Sequence, residues 1–150
     1  MSLALVRRLT RAPQFLRFSA VGTAGFVVNA VFFYIAFYFL ALGKDASWFF
    51  AFIPSVTFSW WGNRTLTFPE RAGRSLRAIA VEWAKFVAAN AFGALVNFVV
   101  YNAMLSLAPR PFSRPLIALA AGVLAGLIFN FTLSKTVVFR GPGGPPAARA

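Results

Sequence analysis

The sequence predicts an all-α integral membrane protein with four transmembrane helices, built as two tandem two-helix hairpin repeats about a pseudo-twofold axis along the membrane normal. Three observations predict it. Of the 150 residues, 59% are hydrophobic and only 12% charged, against roughly a quarter charged in soluble domains. The charges are placed so as to leave four long uncharged runs. The second half of the chain also repeats the first, which makes the two-helix hairpin the structural unit.

Met1 to Gln14 is a short basic leader. The first uncharged run, Phe18 to Gly43, is too long for the apolar stretch of a signal peptide and has no small-residue cleavage site after it, so it is expected to remain as a span. The second, Ala46 to Asn63, carries Pro54 at its middle, which should kink the helix and could serve as a hinge. The third runs from Phe86 to Pro109 and the fourth from Pro115 to Ser134. Each reaches the roughly 17–25 residues that a helix needs to cross a bilayer core. Trp48, Trp60, Trp61 and Trp83 lie near run ends, where interfacial belts place tryptophan. The tail from Gly141 to Ala150, GPGGPPAARA, is too rich in Gly and Pro to fold. The expected organisation is therefore one membrane domain: repeat 1 over about 15–68, a basic loop over 69–82, repeat 2 over about 83–139, and a flexible tail over 140–150.

Four spans return both termini to one side. The segments on that side carry Arg7, Arg8, Arg11, Arg17, then Arg64, Arg71, Arg74, Arg77, Lys85, then Lys135, Arg140 and Arg149, while the opposite loops hold Lys44, Arg110 and Arg114. This asymmetry places both termini and the middle loop in the cytoplasm, with the chain multi-pass in the cytoplasmic membrane. The same topology accounts for the high pI without nucleic acid, since no basic patch stands clear of apolar sequence except in short loops.

The repeat is ungapped at its start. RFSAVGTAGFVVNAVFF from Arg17 pairs with KFVAANAFGALVNFVVY from Lys85 at an offset of 68, aligning Ala20 with Ala88, Gly25 with Gly93 and Asn29 with Asn97. The offset becomes 71 past the hairpin loops, because APRPFSRP is longer than GKDA, and NRTLTF then matches SKTVVF. Spacing assigns faces. Ser47, Ala51, Ser55, Ser59 and Asn63 recur every four residues, as do Ala118, Gly122, Gly126, Asn130 and Ser134. On the third span Asn90, Gly93, Asn97 and Tyr101 share a face. Such stripes face protein or a cavity: they either pack helices closely or line a polar path.

Several function classes are disfavoured. There is no Cys or His, and the acids are only Asp45, Glu70 and Glu82, read here as loop residues, so no catalytic constellation, metal site or cofactor is expected. The uncharged runs hold no acid that could couple a proton to substrate, which argues against a multidrug exchanger. No Gly-rich phosphate loop is present. What remains is a basic collar: Arg17 and Lys85 precede the first and third spans, and Arg64 and Lys135 follow the second and fourth. These four could hold a phosphate, with Arg offering two parallel hydrogen bonds and Lys a point charge, or could simply anchor helix ends. Asn29, Asn63, Asn90, Asn97, Asn130 and Tyr101 are the candidates for a sugar or a polar pathway.

RFSAVGTAGFVVN, NRTLTF and NFTLSKTVVF, in this order and spacing, resemble the GtrA-like family of small four-span proteins over about Phe15 to Arg140. The resemblance implies translocation of a polyprenyl-phosphate-linked sugar to the outer leaflet for cell-surface glycans. It carries over Arg17, Gly22, Asn29, Asn63, Arg64, Phe68, Asn130, Lys135 and Phe139 as motif residues. This sequence departs in having Asn29 and Asn97 where many members carry an acid, and Ser134-Lys135 where the first copy has Asn63-Arg64. The expected partners are the polyprenyl-phosphate sugar lipid, membrane lipids and a polyprenyl-phosphate glycosyltransferase. Four helices enclose little room, so a homodimer or a groove open to lipid is expected in place of a closed pore. The alternative is a non-transporting membrane anchor or assembly partner of a glycosyltransferase.

Overall fold

Pro13 caps the first helix, α1 (Gln14–Tyr34), where its fixed φ of −51° suits a helix start and its carbonyl accepts from Arg17 N–H. The chain is described by a computed structural model over residues 12–72 and 75–140. Arg7, Arg8, Arg11, Arg74, Arg149 and the Gly141–Ala150 tail lie outside the described residues.

A wide π turn, Ile35–Phe39, extends α1, with Leu40 N–H donating to Ile35 O. The second helix, α2 (Lys44–Gly62), starts with Asp45 in its first turn, where a carboxylate complements the helix dipole. It runs on through a second π turn, Asn63–Thr67, closed by Phe68 N–H on Asn63 O at 2.8 Å. After a single 3₁₀ turn at Pro69–Arg71 comes α3 (Leu76–Leu107), the longest helix at 32 residues. Two turns across Pro109 to Arg114 lead to α4 (Pro115–Leu133), with Pro115 in the first turn, where a missing N–H costs nothing. A third π turn, Ser134–Val138, ends it. Among the described residues there is no strand.

Two points differ from the sequence reading. Helix α3 begins at Leu76, about ten residues before the uncharged run, so much of the stretch expected as loop is helical and Glu82 belongs to a helix. Hydropathy marks where charge stops, whereas a helix continues through charged residues while its backbone bonds persist. Furthermore, α1 with its π turn, α3, and α4 with its π turn are long and apolar enough to cross a membrane, but α2 is not among them. Its serines and its Lys44-Asp45 start dilute the apolar character that four spans would require.

The described residues fall into two compact units, one running to Trp83 and taking in Phe139 and Arg140, the other Ala84–Val138. Both leave large apolar side chains outward, such as Phe26 at 73% and Phe98 at 65% exposure. Apolar surface on this scale needs lipid to cover it, which with the three apolar helices makes the chain a multi-pass membrane protein.

Candidate functional site

In the first unit α1 and α2 lie antiparallel because small residues let them. A methyl added to Gly25 would overlap the Ser59 side chain, and one added to Gly62 would press on Val21. Ser55 Oγ donates across the contact to Gly25 O at 3.1 Å. The stripe read from four-residue spacing is thus the packing face of α2, with Ser47 and Ala51 fully buried. Asn29, one turn beyond Gly25, is half-buried.

The basic end of this hairpin is organised around the π turn. A wide turn leaves carbonyls without their usual helical partners. Arg17 Nη1 donates to one of them, Leu66 O, at 2.8 Å, and Gln14 Nε2 reaches the next, Thr67 O, at 3.5 Å. Arg17 Nε is buried with no hydrogen-bond partner. Asn63 is buried and bonded on both sides of its amide: Nδ2 donates to Ser59 O and Oδ1 accepts from Thr67 Oγ1, each at 2.9 Å. Beneath it Phe68 stacks on Phe139 with centroids 4.8 Å apart, and Phe18 meets Phe68 edge-on.

Arg64 has a carboxylate partner that sequence reasoning missed. Its Nη1 donates to Glu82 Oε1 at 2.6 Å, the same oxygen accepts from Trp60 Nε1 at 3.0 Å, and the guanidinium stands 5.7 Å from the Trp60 ring centre. Trp83 Nε1 donates to Thr57 Oγ1. Two of the four tryptophans expected at the interface therefore spend their N–H inside the protein, while Trp48 and Trp61 are exposed. The available signal was the apolar setting of Glu82 in AVEWA, which no surface loop requires.

In the second unit the two predicted faces meet. The Asn130 amide fills the space over Gly93; Gly122 lies under Asn97 and Tyr101; Gly126 lies against the Gly93 carbonyl and Asn97. Asn90 Nδ2 donates to Phe86 O within α3. Asn130 Oδ1 and Ser134 Oγ are buried without hydrogen-bond partners. Extending this antiparallel register sets Lys85 and Lys135 at one end of the hairpin, both exposed, with Lys135 Nζ 5.8 Å from the Phe131 ring centre.

Buried Phe18, Val21 and Gly25 on α1 match Phe86, Ala89 and Gly93 on α3 at the offset of 68. The π turns Asn63–Thr67 and Ser134–Val138, and buried Phe68 and Phe139, match at 71. A family model described as GtrA/DPMS, transmembrane domain, matches residues 17–139. No curated protein matches the chain.

Proposed function

This chain belongs to the GtrA/DPMS transmembrane-domain family, and from that premise we propose that it moves a polyprenyl-phosphate-linked sugar across the cytoplasmic membrane for cell-surface polysaccharide or glycan modification. The family is associated with such translocation, which is non-catalytic. Arg17 is the observation that carries the reading for this chain. Its guanidinium is anchored by Leu66 O, keeps a buried Nε without a partner, and forms no ion pair among the described residues. A cation held in place by a carbonyl and not neutralised by a carboxylate suits a phosphate oxygen. Arg64 contributes by exchange, since an arriving phosphate competes with the Glu82 carboxylate for it. Lys85 and Lys135 add exposed positive charge. Asn29, Asn90 and Tyr101 meet sugar hydroxyls along the hairpin faces, while Asn97 and Asn130 pack α3 on α4 over Gly122, Gly126 and Gly93, and Asn63, satisfied within its own helix, holds the π turn open.

The membrane arrangement in this proposal has four spans, two tandem repeats and both termini cytoplasmic. Supporting a spanning α2 is its antiparallel pairing with α1 from Gly25–Ser59 through Val21–Gly62 to Arg17–Leu66, since a helix that follows a spanning helix along its length crosses with it. Matching burial and matching π turns support the repeat.

The test uses liposomes with a polyprenyl-phosphate sugar on both leaflets and an impermeant reagent that scores the accessible pool. Wild type should expose the inner pool, and Arg17→Gln should slow this about tenfold, the loss expected for one charge-assisted hydrogen bond. Wild-type liposomes indistinguishable from protein-free ones would sink the transport reading and favour the anchor role beside a glycosyltransferase.

A further inference from the structure

The second hairpin has a longer loop than the first, and those extra residues build something. Leu105, Arg110, Ser113, Arg114 and Pro115 line an open, polar cleft of about 470 Å³ in which both arginines are exposed. Two turns hold its rim: Phe112 N–H donates to Pro109 O and Arg114 N–H to Pro111 O. Arg114 then caps α4, its carbonyl accepting from Ile117 and Ala118 N–H, so the positive end of that helix dipole opens beside the cleft. Neither arginine forms an ion pair among the described residues. An open cleft with two unneutralised guanidinium groups, a hydroxyl and a helix N-terminus suits an anion with several acceptor oxygens.

Its position in the hairpin gives the cleft its meaning. The register between α3 and α4 sets Leu105 and Pro115 at the end opposite to Lys85 and Lys135. Twenty residues of helix separate Lys85 from Leu105 and Pro115 from Lys135, or ~30 Å at 1.5 Å per residue, the thickness of a hydrocarbon core. One hairpin thus carries basic groups at both ends of a membrane-length path. Arg110 and Arg114 also lie at the end away from the more basic side, against the usual charge bias of membrane loops.

We propose that Arg110, Ser113 and Arg114 form a second phosphate site, at the far end of the α3–α4 hairpin. The ligand is a phosphate monoester or diester anion, from a lipid headgroup or free in solution. Its role as the station that receives a headgroup after crossing rests on the translocation reading; the anion site itself does not.

The experiment uses the full chain with p-benzoylphenylalanine in place of Phe112, an exposed residue between the two arginines. The protein is placed in phosphatidylcholine nanodiscs containing a polyprenyl phosphate or the neutral polyprenol of equal length, and binding of inorganic phosphate is followed by ³¹P line broadening. The expected result is about tenfold more photocrosslinking to the phosphate lipid, lost in R110Q/R114Q and largely kept in R110K/R114K, whose retained binding also shows that the loop is folded. Arginine-dependent broadening of inorganic phosphate without a lipid preference would assign the site to free phosphate. Equal crosslinking to both lipids, unchanged in R110Q/R114Q, together with no arginine-dependent broadening, overturns the proposal. Translocation scored on the same protein without Phe112 replaced separates the two readings: transport with no anion preference removes this site alone, and anion preference with no transport removes the transport reading alone.

Discussion

Arg64 and Glu82 form an ion pair 2.6 Å long in which the carboxylate is only 5% exposed and the guanidinium side chain 17%. Eighteen residues separate them, and together with Trp60 they tie α2 to the start of α3. Removing one partner leaves a charge in a poorly hydrated place. Glu82→Ala and Arg64→Ala should each destabilise the protein by about 3–5 kcal/mol, and the double variant by less than their sum. Thermal unfolding in detergent across the four proteins of this cycle decides it; strict additivity would mean that the pair carries no coupling.

Glycine spacing makes a sharper prediction. Gly93→Ala should place a methyl inside the Asn130 amide and Gly126→Ala one against the Gly93 carbonyl, each costing about 1–3 kcal/mol as α3 and α4 are forced apart. Gly22→Ala meets no atom within 4 Å and should stay within about 0.5 kcal/mol of wild type. Equal melting temperatures for all three would remove close packing as the reason for the α4 stripe.

The stacked pair Phe68 and Phe139 is almost fully buried, at 1% and 0% exposure. Phe68→Ala or Phe139→Ala should cost about 3–5 kcal/mol, and replacement by Leu markedly less. Protease resistance in detergent, compared across the four variants, reports whether the ring cluster holds the chain as described.

Correspondence between the hairpins can be tested at one residue. Thr67 Oγ1 satisfies Asn63 in the first hairpin, but its counterpart is Val138, and Ser134 Oγ is left buried without a partner. Val138→Thr should therefore be neutral or stabilise by about 0.5–1.5 kcal/mol through a new hydroxyl bond. A loss of about 1–3 kcal/mol in thermal unfolding would show that the added hydroxyl finds no partner and that the two π turns are not equivalent.

Much of this protein was legible because a bilayer narrows the options. Backbone polar groups inside lipid must be satisfied within a helix, so uncharged length located four helices, and spacing located the faces that carry Gly25, Ser59, Gly93 and Asn130. The same reasoning could not locate the start of α3. Charge in a sequence marks contact with water or with a partner, and hydropathy does not distinguish them; Glu82 was read as a loop residue although it faces Arg64 and Trp60.

By itself, then, the sequence determined the membrane class, the four helices and the basic residues at helix ends, because each depends on composition or on period along one chain. Tertiary structure alone decided what those bases contact. Arg64 and Arg17 look alike in sequence, each at an apolar boundary, yet packing neutralises one with Glu82 and holds the other on a carbonyl with its Nε unsatisfied. It also decided that Arg110 and Arg114 share a cleft, since only the two turns after α3 bring their rims together. A side chain's charge is written in its own residue, whereas its partner depends on distances between elements that no local period encodes.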